Sequence, residues 1–202
     1  MVEYSTNFPN NYISTNDKIM QLILKRVFLS RVAKHGISLD RKFPDYQDLI
    51  YPGVVDCTRF WLPPPIVSDL LNFVNAALHS ASTNGSFYLY RRVWGTWHYG
   101  MIDSVRNQIM DRMISSINIP NDFRGALKLE SNEWGDLLTI ISAHYVFAWS
   151  VNEDLYIIPA SFDSILMVSH HGQLNGSFPN EKHLTDFTEA MEAKGFSLPE
   201  RA

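Results

Sequence analysis

The sequence predicts an α+β fold with a helical N-terminal half, a largely antiparallel sheet in the C-terminal half, and a terminal helix packed on that sheet. Three observations predict it. Apolar residues recur at helical spacing in three stretches before residue 120, short β-rich runs fill 155–178, and 180–199 carry the start, stripe and stop of a helix. The 202 residues fit a single domain over 1–202, with 1–16 as a polar arm. A chain of this length buries roughly 70% of its unfolded surface and needs no staples.

The elements follow in order. Asn16 or Thr15 caps a helix running to about residue 35, with Ile19, Leu22, Ile23, Val27 and Leu29 near one side and Gly36 as its stop. Residues 36–63 carry Pro44, Pro52 and Gly53 and read as irregular. A second helix starts near Pro65, since proline suits a first turn, and presents Ile66, Leu70, Phe73, Val74 and Leu78. "SFYLYRRVW" is β-rich through its aromatic residues, and 102–117 return to helical rhythm through Ile102, Val105, Ile109 and Met113. "ALKLE" is a short strand. "EWGDLLTIISAHYVFAWSV" reads as a helix passing into a strand near residue 146. "LYIIP", "SILMVS" and "LNGSF" are strands. Asn180 caps the terminal helix, Glu181 complements its dipole, and Leu184, Phe187 and Met191 form its stripe. Gly195 suits the left-handed stop, Phe196 the contact after it, and Pro199 prevents continuation.

Composition narrows the function classes. The net charge of −4 argues against a generic nucleic-acid binder, which needs a basic footprint to displace counterions. That charge is uneven: residues 1–42 carry +4 and the remainder −8. The basic segment is either a solvated helix face or an arm for an acidic partner. Aromatic residues at 13% serve cores and interfaces alike. A lone Cys57 excludes an internal disulfide and suits a reducing compartment. With no secretory pattern at the N-terminus and no run of 18 apolar residues, the expected location is cytoplasmic, with no membrane contact.

The chemistry-bearing residues are few. "ILMVSHHGQL" holds His170 and His171, which on a strand would face opposite ways and at a turn would diverge less, with Gly172 supplying positive φ. A zinc site needs two further ligands. No HExxH, CxxC or HxH supplies them, although His144, His183 and Asp163 remain in reserve. No metal and no cofactor is expected, and the pair is read as turning the chain. There is no G-x-S-x-G, no P-loop and no G-x-G-x-x-G, and Cys57 sits among apolar neighbours. "VWGTWHYG" groups Trp94, Trp97, His98 and Tyr99 beside Arg91 and Arg92, either as an aromatic patch for a partner or as a strand end completing the core. "LESNEWGD" places Glu133 and Asp136 on one helix face, either as helix-start acids or as an acidic edge for a basic partner. "VNEDL" reads as a polar connection. Should the chain be an enzyme, its site would combine His98, His144, His170 or His171 with a carboxylate, a hydrolase-like arrangement.

"AHYVFAWSVNEDLYIIP", "ILMVSHHGQLNGSF" and "FTEAMEAKGFSLPE", in that order over residues 143–200, resemble small bacterial cytosolic proteins, including immunity proteins of polymorphic toxin systems. The resemblance implies a non-catalytic inhibitor that binds a cognate toxin domain and covers its active site. It carries over no catalytic residue. The expected function is therefore protein binding, with Trp94, Trp97, His98, Glu133 and Asp136 as the expected contacts.

Overall fold

In the computed structural model the described residues are 20–43, 46–54, 56–65, 67–82, 85–92, 97, 105–117, 119–120, 122–151 and 153–198. They form nine strands and five helices in the order β1 (Gln21–Leu24), α1 (Lys25–Ala33), β2 (Ser38–Phe43), β3 (Tyr46–Ile50), β4 (Thr58–Trp61), α2 (Val67–Ala81), β5 (Phe87–Arg91), α3 (Val105–Ser116), β6 (Gly125–Leu129), α4 (Trp134–Val151), β7 (Leu155–Pro159), β8 (Ile165–Val168), β9 (Leu174–Ser177) and α5 (Glu181–Glu192). A 3₁₀ turn, Ser131–Glu133, leads into α4. Seven strands make one antiparallel sheet in the order β1-β6-β5-β7-β8-β9-β4, and β2 and β3 form a separate two-stranded ribbon.

The expected division into a helical first half and a β second half is overturned. Four of the seven sheet strands (β1, β4, β5 and β6) lie in the first 129 residues, and helices are spread along the chain. The expected long first helix is in fact a strand followed by a helix. Leu24 has extended geometry (ψ 141), and Gln21–Leu24 pair with Gly125–Lys128 before α1 begins at Lys25. Gly125 permits that pairing, because a Cβ there would lie 2.0 Å from the Ile23 carbonyl oxygen. Residues 36–63, expected to be irregular, supply β2, β3 and β4. The expected change to strand near 146 does not occur, and α4 continues to Val151. Its apolar residues surround the axis because it packs against α2, α3 and the sheet, so its second half carries the composition of a buried strand.

Period-two alternation sends each central strand's side chains into two cores. Phe87, Leu89, Leu127, Leu129, Leu155, Ile157, Leu166 and Val168 face α2, α3, α4 and α5, where Phe73, Met110, Ile141 and Phe187 meet them. Tyr88, Tyr90, Ala126, Tyr156, Ile158 and Ile165 face the opposite way, onto Phe28 and Val32 of α1 and onto Leu49 and Tyr51 of the ribbon. Both faces of β5 and β7 are thus covered, and every residue of these two strands is buried. Asn180 Oδ1 accepts the His183 amide at 3.1 Å and caps α5, whose Leu184, Phe187 and Met191 are buried as their spacing requires. Among the described residues no helix is long and apolar enough to cross a membrane.

Candidate functional site

A cluster of ionisable side chains lies where β5 ends and β7 begins. Arg91 stands opposite Leu155, and the Arg92 amide donates to the Asp154 carbonyl at 3.0 Å, so two arginines lie against two acids. Consecutive residues at a strand end point to opposite faces. Arg91 therefore turns to the helix side and pairs with Glu153, both side chains being about 95% withdrawn from solvent. Arg92 turns to the ribbon side and bridges two acids. Its Nη1 donates to Asp154, its Nη2 donates to Asp48 Oδ2 at 2.9 Å, and its Nε lies 2.8 Å from Asp48 Oδ1. Burial alone would lower the Arg92 pKa, but Asp154 and Asp48 outweigh it and hold the guanidinium above its ordinary value. Tyr156 donates its hydroxyl to Asp48 at 2.6 Å. Burial first, then the Asp48 charge, pushes that phenol well above its ordinary pKa.

The double histidine sits beside this network. Residues 169–172 form the β8–β9 turn, with the Gly172 amide donating to the Ser169 carbonyl at 2.8 Å and Gly172 at φ 72. Asp154, 1% exposed, points into the turn, where its Oδ1 accepts the His170 amide and the His170 Nδ1–H, each at 2.8 Å. The carboxylate thereby sets the imidazole tautomer and orientation. Nε2 is left without a partner among the described residues, on a side chain 30% exposed. The His171 ring lies 4.0 Å from that of His170, tilted by 44°.

His144 lies behind the helix-side pair. It is fully buried, and its Nε2 donates to the Glu153 carbonyl at 2.9 Å, while Nδ1 has no hydrogen-bond partner among the described residues. Burial, then the Arg91 charge, lowers its pKa to about 3, so it is neutral at pH 7. It is a core histidine, separated from the surface that His170 reaches.

The other expected contact residues are placed as follows. Trp97 is 1% exposed and donates its indole N–H to the Gly125 carbonyl at 3.0 Å, completing the core at the start of β6. Trp94 and His98 lie outside the described residues. Glu133 is buried, and its carboxylate accepts the Glu130 amide at 2.9 Å in a capping arrangement at the start of the 3₁₀ turn. Asp136 is half-buried in the first turn of α4. Cys57 is a buried free thiol in the helix-side core. Among the described residues no group of three or more His, Cys, Asp or Glu side chains could hold a metal ion.

"VNEDL", expected to be a polar connection, instead supplies both buried acids. Its readable signal is a doubled acid, Glu153-Asp154, opening one apolar strand, with a doubled base, Arg91-Arg92, closing another. Comparison with protein-family models, curated proteins and solved structures finds no match for the chain.

Proposed function

We propose that the chain is a non-catalytic cytoplasmic binding protein that neutralises a protein partner, as the resemblance of residues 143–200 to toxin-immunity proteins implies. The observation that most supports this reading is the state of the two sheet edges. β1 exposes Leu22 and Leu24, while β4 and the residue after it expose Phe60 and Leu62, at 47% and 58%. An edge strand carries a row of main-chain donors and acceptors, and natural proteins usually guard such edges with charge. Arg59, the one charge on β4, is folded back onto the Asp56 and Thr58 carbonyls at 2.8 and 2.7 Å. A partner strand added at β4 would gain main-chain hydrogen bonds, with Phe60 as aromatic anchor.

Affinity capture from a native lysate, with the partner identified by mass, tests the reading. One stoichiometric partner held by the wild type and lost by Phe60→Glu supports it. A chain that captures nothing at low or high salt removes it.

The Asp154–His170 geometry favours a second reading, a hydrolase-like enzyme. A buried carboxylate that holds Nδ1–H leaves Nε2 as a general base toward solvent. Turnover of activated esters or phosphoesters that disappears in His170→Gln, with folding intact, would favour the enzyme over the binding protein.

A further inference from the structure

We infer that the outer face of α1 is a docking surface for an acidic, partly apolar segment of a protein partner. This rests on the binding reading above and adds the chemistry of one partner segment. α1 contains no acidic residue. Arg26, Val27, Ser30, Arg31 and Lys34 line an open, shallow surface along α1 and its C-cap. Ser30 and Lys34, four and eight residues after Arg26, share its outer side of the helix, with Val27 and Arg31 flanking them and Arg31 bordering the buried Phe28.

None of Arg26, Arg31 and Lys34 has a carboxylate partner among the described residues, whereas Arg91 and Arg92 are both paired with acids. Three cations on one helix, none paired with an acid among the described residues, raise the local potential. Arg31 is held in position: it donates Nη1 to the Tyr88 hydroxyl at 2.6 Å, and its Cζ lies 5.6 Å from the centre of that ring. Ordering an arginine before the partner arrives lowers the entropy cost of binding. Leu24 and Val27, 57% and 42% exposed and three residues apart, add apolar contact at the same end.

Charge and size select the occupant. The chain outside residues 1–42 carries −8, which repels an extended polyanion such as a nucleic-acid duplex and leaves the local helix face to a short acidic segment. A lipid surface needs a broad apolar face, but α1 turns Phe28 and Val32 inward and is only nine residues long.

The test uses the isotope-labelled full chain and a short Glu/Leu-rich peptide. A Lys/Leu peptide, vesicles of anionic phospholipid and a DNA duplex serve as competing probes. The expected result is peptide binding with amide shifts at residues 24–34, weakening as salt rises. Arg26→Glu with Lys34→Glu, both exposed, should lower affinity about tenfold or more while the melting temperature holds, whereas the charge-keeping Arg26→Lys should retain most of the wild-type affinity. Equal binding by the reversal variant, shifts elsewhere, or tighter binding of vesicles or duplex than of peptide overturns the inference. A natural partner captured equally by wild type and reversal variant overturns it and leaves the binding function standing. Peptide binding at α1 with no partner in any lysate keeps the surface and removes the function.

Discussion

Arg91 and Glu153 form a deeply withdrawn ion pair that makes a quantitative prediction. Glu153→Leu removes the acid paired with a guanidinium that is 3% exposed, and Arg91→Met the base paired with a carboxylate that is 6% exposed. Breaking one side of such a pair costs about 3–5 kcal/mol, because the surviving charge keeps its desolvation penalty and loses its compensation. In a chain of this size each kcal/mol is worth about 2–4 °C, so either single variant should melt roughly 6–20 °C below the wild type. The double variant removes both charges and fills the site with apolar atoms. It should lie within about 1–2 kcal/mol of the wild type, giving a coupling energy of several kcal/mol. Urea denaturation of all four proteins, followed by tryptophan fluorescence, measures the cycle. Single variants costing less than about 1 kcal/mol, or costs that simply add in the double variant, would refute the placement of this pair in the core.

Three other perturbations have defined outcomes. His144 is held at a pKa of about 3, below the ordinary value of 6.5, so the unfolded chain takes up its proton first. Its contribution is whole above pH 6.5 and falls by about 1.4 kcal/mol per pH unit between 6.5 and 3. His144→Gln should flatten that slope in denaturation series run from neutral to acid pH, and an unchanged slope would place the acid sensitivity elsewhere. Gly125→Ala drives a Cβ to 2.0 Å from the Ile23 carbonyl, so β1 should detach, with loss of amide protection at Leu22–Leu24 and of peptide binding at α1. Full protection in that variant would contradict the register. Asn180→Ala removes the α5 cap and should cost about 1 kcal/mol in urea, with a cost near zero counting against the cap.

How much of this was legible in the sequence depended on how each element is buried. α5 could be read nearly whole because it buries one face: Asn180, the Leu184–Phe187–Met191 stripe and Gly195 each have a single structural meaning. β7, β8 and β9 were legible as short β-rich runs. Central elements covered on both sides lose their period. β5 is buried at all five positions, and α4 is apolar nearly all round, so composition alone could not tell where α4 would stop. The four-residue edge strands β1 and β4 are defined by pairing with β6 and β9, more than 100 residues away in the chain, and no local pattern marks them. The expected contacts met the same limit. A tryptophan between glycines suits a core or a patch equally, and Trp97 went to the core because its N–H reaches the Gly125 carbonyl. His170 was legible as a turn residue but not as the partner of Asp154, since nothing in the chain marks that residues sixteen positions apart meet.

The doubled charges at the ends of β5 and β7 explain how one strand junction holds both layers. Because neighbouring residues face opposite sides, Arg91-Arg92 delivers one guanidinium to the helices and one to the ribbon, and Glu153-Asp154 answers each with a carboxylate. A single arginine and a single acid could tie only one layer to the sheet. Asp154 then spends its second oxygen on His170 and fixes the β8–β9 turn, while Arg92 reaches Asp48 and fixes the ribbon. The same carboxylate that could activate His170 is therefore also a structural tie, and losing it damages both roles together. Among the described residues the His170 side chain makes one bond, to Asp154, and a ring contact with His171, so it can be replaced with little structural cost. Variants of His170, and not of Asp154, separate a catalytic imidazole from one that merely closes a turn.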